Sequence, residues 1–126
     1  MNSVERWVEQ SRYDLDTAAA MNDSGRYLYV AFCCQQAVEK MLKAIVVKKT
    51  GAFPPRLHNL LRLAEIAGVA LEQEREAFIG ELSGYYIQTR YPEEIESLSR
   101  GLTQSISEEI LTKTEEVIEW LHSMLK

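Results

Sequence analysis

The chain is poor in the residues from which most catalytic and metal centres are built. Its 126 residues include two histidines and two cysteines. Cys33 and Cys34 are neighbours inside an apolar stretch. Side chains of adjacent helical residues point about 100° apart, so a bond between these two would break the helix. They read as buried free thiols of a reducing compartment, the cytoplasm. His58 and His122 are far apart in the chain. No metal is expected from that pattern. A glycine-rich phosphate loop, a His-Glu-x-x-His pair and an Asp-rich calcium loop are missing, and no motif implies a cofactor.

Other absences narrow the class further. No apolar run approaches about 18–20 residues, so no membrane span is expected. The N-terminal residues to Arg6 lack a basic region leading into an apolar one, and no signal peptide is expected. Lys and Arg number 14 against 19 Asp and Glu, a net charge of −5. Such a surface does not attract nucleic acid as a whole, so any polyanion contact needs a local basic patch. Internal repeats, low-complexity tracts and β-alternation are absent as well.

What is present is helical periodicity in a chain that is 46% hydrophobic and 26% charged. That balance belongs to a globular protein, here one domain over residues 1–126. The first helix spans about Ser3 to Asn22, with Asn2 and Glu5 in a capping-box pattern. Val4, Val8, Ser11, Leu15 and Ala18 share its inner stripe. The second, about Arg26 to Lys49, is the most apolar. Its polar residues Gln36, Glu39, Lys40 and Lys43 form one narrow stripe at i, i+3, i+4, i+7. Glu39 and Lys43 are an i,i+4 pair in the favourable order, and Gly51 suits a left-handed cap.

Phe53-Pro54-Pro55 is a stiff connector. A short helix opened by His58 follows, with Leu57, Leu60, Leu61 and Ala64 on one face and Gly68 at its end. Another helix runs from about Leu71 to Thr89, with Gly84 inside it, where a missing side chain admits a close neighbour. Pro92 pushes Tyr91 out of helical φ/ψ, so that helix stops there with Arg90 on its last turn. Pro92 to about Gln104 reads as loop. Ser105 and Glu108 then cap a last helix along Ile110, Thr114, Val117, Leu121 and Met124. The pattern predicts an all-α, up-down four-helix bundle with one additional short helix. A helix as apolar as Tyr27–Val47 needs more cover than such a bundle gives, which predicts a homodimer.

Three places carry possible binding chemistry, each with two readings. The Gln36/Glu39/Lys40/Lys43 stripe is either a solvated face or a lysine-lined groove for phosphates. His58 is either a capping or loop residue or faces a ligand. Arg90 with Tyr86 and Tyr91 either locks a helix end by cation–π contact or stacks on a base with the guanidinium on phosphate. Glu93, Glu94 and Glu96 form an acidic knot, solvated or facing a partner.

Three segments together carry a family likeness. They are Gln35-Gln36-Ala37-Val38-Glu39-Lys40-Met41-Leu42-Lys43-Ala44, then His58 with Leu60-Leu61, then Tyr86-Ile87-Gln88-Thr89-Arg90-Tyr91-Pro92. In order and spacing the chain resembles the HEPN domain (higher eukaryotes and prokaryotes nucleotide-binding), nearly from end to end. The resemblance implies a dimeric helical bundle, a nucleotide or RNA ligand, and a small nucleotidyltransferase as partner in a toxin–antitoxin-like pair. The sparse polar groups of a buried helix, sharing a groove with the Arg-Tyr-Pro turn, make Gln36, Lys40, Lys43, His58, Tyr86, Arg90 and Tyr91 the candidate contacts of such a ligand. Ribonucleases of this family carry an arginine about five to seven positions before a histidine. Here Gly51, Ala52 and Phe53 stand at those positions before His58, and Glu115, Glu116 and Val117 before His122. The chain therefore looks like an Arg-Tyr-Pro branch without the ribonuclease motif, a binding module rather than an enzyme. The alternatives are a metal-independent RNase with a non-standard site and a purely structural interaction protein.

Overall fold

A computed structural model describes residues 2–126, which form six α-helices and, among the described residues, no strand. Helix α1 (Ser3–Asp23) starts where the Asn2 side chain accepts the Glu5 N–H at 2.8 Å. Glu5 in turn accepts the Asn2 N–H at 3.3 Å, closing the capping box. Helix α2 (Tyr27–Thr50) ends at Gly51, whose φ of 69° is left-handed backbone that a Cβ would oppose. The others are α3 (Leu60–Ala67), α4 (Gln73–Ser83), α5 (Pro92–Arg100) and α6 (Gln104–Ser123).

Helix α2 is the axis of the fold and touches all of the others. Its Val30, Cys34, Val38, Met41, Leu42 and Ile45 are buried. They meet Ala18 of α1, Leu60 and Leu63 of α3, Ile79 and Leu82 of α4, and Ile118 and Leu121 of α6. Between α1 and α2 the buried Ser11 hydroxyl donates to the Ala37 carbonyl at 2.7 Å. Small residues at that crossing bring the two backbones together, and the hydroxyl is satisfied by α2 itself. Most of the apolar surface of α2 is covered inside one chain, with α5 adding cover beyond the one short helix expected. What α2 leaves open is its first turn, where Tyr29 is 50% exposed.

The segment from Gly84 to Gln104 departs from expectation. Helix α4 stops at Ser83 rather than Thr89, with Gly84 as its C-cap instead of an interior residue. A Cβ at Gly84 would meet the Glu81 carbonyl oxygen at 3.3 Å, and within α4 a Cβ at Gly80 would meet Leu61 Cδ1 at the same distance. Residues 84–91 form an irregular turn. Pro92 occupies the first turn of α5, where its missing N–H leaves nothing unpaired and its fixed φ is already helical. The stretch expected as loop is therefore mostly helix. Helix α6 is capped by Thr103, which accepts the Ile106 N–H at 3.2 Å, not by Ser105. His58 lies two residues before α3 rather than inside it. Among the described residues no helix is long and apolar enough to cross a membrane.

Candidate functional site

The polar stripe of α2 is not a solvated face. Glu39 and Lys43 are buried, their side chains 5% and 8% exposed, and Lys43 Nζ lies 3.1 Å from Glu39 Oε2. The other carboxylate oxygen of Glu39 faces His58 Nδ1 at 3.0 Å. An ionised carboxylate only accepts, so Nδ1 is the donor in this contact, and in the neutral ring Nε2 keeps a free lone pair. Gln35 Nε2 donates to Glu39 Oε1 and to the His58 carbonyl, both at 3.2 Å. Gln36 Nε2 donates to Gln35 Oε1 at 2.7 Å, which fixes that amide. Helix α2 thereby holds both the ring and the backbone of a residue on an irregular connector.

The connector is tied at its far end too. Asn59 caps α3 by accepting the Arg62 N–H at 3.1 Å. The Leu60 N–H donates to Ser83 Oγ at 3.0 Å, joining the start of α3 to the end of α4. From there the chain turns and presents Tyr86, whose ring lies parallel to His58 with centroids 3.9 Å apart. Phe32 of α2 packs on Tyr86 at 6.1 Å, and Tyr29 meets Phe32 edge-on at 6.4 Å. His58, Tyr86, Phe32 and Tyr29 form a continuous aromatic row.

Arg90 closes the other side. Its Nη2 donates to the Gly84 carbonyl at 2.9 Å and its Nη1 to Glu94 Oε2 at 3.0 Å. The cation still meets the carbonyl end of α4, but it does so by folding back across the turn rather than by sitting on the last turn. Glu94 Oε1 accepts the Tyr91 N–H at 3.3 Å. The hydrogen bond from Arg90, and then that from the Tyr91 backbone, hold the Glu94 carboxyl below its usual value. No cation–π contact joins Arg90 to Tyr86 or Tyr91. The rings that carry cations are Trp7, Trp120 and Phe78.

His58, Asn59, Ser83, Tyr86, Arg90 and Glu94 line a cleft of about 370 Å³. Of the residues singled out in the sequence, His58, Tyr86 and Arg90 meet there. Lys43 and Gln36 stand behind it, linked through Glu39 and Gln35. Lys40 pairs with Asp14 of α1 at 2.7 Å, away from the cleft. Tyr91 is 73% exposed and does not line it. Glu39 as the partner of His58, and Ser83, Asn59 and Glu94 as lining, went unread. The local signals were Gln35 at i,i+4 from Glu39 and Glu94 at i,i+4 from Arg90. The cleft offers a proton acceptor at Nε2, a flat ring pair and one guanidinium. Among the described residues no cluster of three or more His, Cys, Asp or Glu is arranged to hold a metal.

Comparison with known proteins agrees with this architecture. The chain is similar to TT1696 from Thermus thermophilus, with 27% identity over 98% of each chain and a TM-score of 0.81. An archaeal HEPN homologue shares the fold over 100% of each chain, with a TM-score of 0.73 and 22% identity. No curated protein matches. The family model described as HEPN domain matches residues 4–124. With nearly the whole chain matched and the six-helix fold shared, this protein belongs to the HEPN domain family.

Proposed function

We propose that this protein is a nucleotide-binding and interaction module, a single HEPN domain over residues 1–126. Its cleft takes the ligand between the His58–Tyr86 ring pair and Arg90. The observation that carries this reading is that parallel pair beside a guanidinium in one cleft. Flat rings suit a base or ribose, and a guanidinium suits phosphate. His58 Nε2 accepts a ligand hydroxyl or amine, and Arg90 donates to phosphate oxygens. Lys43 offsets the charge of Glu39 behind the ring, and Gln36 steadies Gln35. The exposed Tyr91 faces RNA or a protein partner beside the cleft, and Lys40 reaches a ligand only by giving up its pair with Asp14. The module works as a cytoplasmic homodimer with a small nucleotidyltransferase, in a toxin–antitoxin-like pair. The half-exposed Tyr29, which extends the aromatic row, supports a second copy as its cover.

Calorimetry with ATP, GTP and a short RNA on wild type and Arg90→Ala tests the ligand. Binding lost in the variant is expected, and no binding by wild type at millimolar ligand overturns it. Co-purification tests the nucleotidyltransferase separately.

One geometric fact favours a second reading, a metal-independent RNase. The Glu39–His58 pair is a carboxylate-oriented imidazole in the same cleft as Arg90. There His58 Nε2 takes the proton of a ribose 2′-OH as its oxygen attacks phosphorus. The 5′-oxygen leaves and takes a proton from solvent water, and the imidazolium returns its proton to solvent, giving a 2′,3′-cyclic phosphate and a 5′-hydroxyl. Cleavage of RNA in chelator, lost in both His58→Ala and Arg90→Ala, would establish it.

A further inference from the structure

His58 lines a second cleft on its other side. This one, about 510 Å³, lies between Trp7 of α1 and the connector Phe53-Pro54-Pro55, with Arg56 at its edge and Lys43 at its back. The volume falls within the range of small-molecule sites, roughly 300–1,000 Å³. Its chemistry is unlike that of the first cleft. Phe53 is 96% exposed, so its ring gives up the burial that drives most phenylalanines inward. It does not stand alone, since Trp7, Pro54 and Pro55 share the same concave wall. The two prolines fix their φ angles and hold the connector stiff. Lys43 Nζ sits 5.6 Å from the Trp7 ring centre. Arg56 is exposed and makes no ion pair among the described residues.

Resting on the nucleotide reading above, we propose that this aromatic cleft is the base subsite of a nucleotide whose phosphate lies on Arg90. His58 lines both clefts, so a ligand that crosses it reaches both. The sugar then crosses the edge of His58, where Nε2 meets a ribose hydroxyl. The base seats against Trp7 and Phe53, and Arg56 stacks on it or holds a further phosphate. The second cleft offers an indole and a phenyl ring, where the phenol of the first is already stacked on His58, so the base has its better platform in the second.

The test uses the full chain carrying Trp120→Phe, which leaves Trp7 as the sole indole. AMP is titrated by Trp7 fluorescence, and AMP and ribose 5-phosphate by calorimetry. AMP should change Trp7 emission. Phe53→Ala should weaken AMP binding about tenfold, the scale of one base–aromatic stack, and leave ribose 5-phosphate unchanged. Arg90→Ala should weaken both. Phe53 is exposed, so its truncation leaves the fold intact. AMP that binds with unaltered Trp7 emission and equal affinity for Phe53→Ala would overturn the subsite and leave the nucleotide reading standing. No AMP binding at millimolar concentration would overturn both.

Discussion

The imidazole of His58 lies against the phenol of Tyr86, with centroids 3.9 Å apart and planes 11° from parallel. The contact joins the only two irregular segments that frame the cleft, the connector before α3 and the turn after α4. The turn opens with the Gly84, Tyr85 and Tyr86 N–H groups donating in succession to the Glu81, Leu82 and Ser83 carbonyls, and within the connector the Leu57 N–H donates to the Pro55 carbonyl. The ring pair and the Leu60–Ser83 bond join one side to the other.

The stack should therefore appear as a coupling energy. A double-mutant cycle of His58→Ala and Tyr86→Ala, read by urea denaturation, should give about 1 kcal/mol between the two positions. Tyr86→Phe keeps the ring and should retain that coupling. Its hydroxyl donates only to Gln88 at 3.1 Å, on the exposed side.

Glu39 has more at stake than any other polar residue, because three groups depend on its carboxylate. Glu39→Gln leaves the buried Lys43 ammonium without a counter-charge and places an amide where His58 and Gln35 both donate. Breaking a buried pair from one side costs about 3–5 kcal/mol, and the loss here should fall near the lower figure because water reaches the site from His58. Asp14→Asn, which breaks the more exposed Lys40 pair, should cost distinctly less in the same measurement.

How much of this was legible in the sequence depended on whether a signal was local. The Asn2–Glu5 box, the Gly51 cap and the Glu39–Lys43 pair are short-range patterns, and each formed as read, whereas the α2 stripe that holds the pair is neither a solvated face nor an open lysine groove. Pro92 is the counter-case. A proline both ends a preceding helix and begins a following one, and the residues next to it do not choose between these. The deciding signal was Glu94 reaching back to the Tyr91 N–H, which makes residues 91–94 a helix start. The site was legible as residues but not as pairs. His58, Tyr86 and Arg90 stood out by likeness to a family. That His58 would bind Glu39 and stack on Tyr86 depends on the packing of α2, α3 and α4, which no spacing in the chain encodes.

Arg90 should matter to stability as well as to ligand. Arg90→Ala removes the side-chain bond to the Gly84 carbonyl at the end of α4 and the bond to Glu94, for a loss of about 1–2 kcal/mol. Arg90→Lys should recover less than half of it, because two acceptors are met by separate nitrogens of one planar fork. Comparing urea midpoints of the two variants checks this. It also sets the protein concentration and temperature at which the binding loss of Arg90→Ala is read on folded protein.

Cys34 predicts a pH dependence at the alkaline end. Burial pushes its thiol up from the ordinary 9.0 to about 12, with the Thr114 hydroxyl opposing and Cys33 adding slightly. Folding holds this group protonated, whereas the unfolded chain releases the proton above 9.0. The unfolded state then binds fewer protons, so the contribution is complete below pH 9 and is lost as pH rises toward 12. Its slope approaches about 1.4 kcal/mol per pH unit. Between pH 8 and pH 10 wild type should lose about 1 kcal/mol more than Cys34→Ala, since other titrating groups cancel in the difference. Urea denaturation of both proteins at the two pH values measures it. Equal losses would mean that water reaches the α2–α6 contact where Cys34 and Thr114 meet, and that the thiol ionises in place.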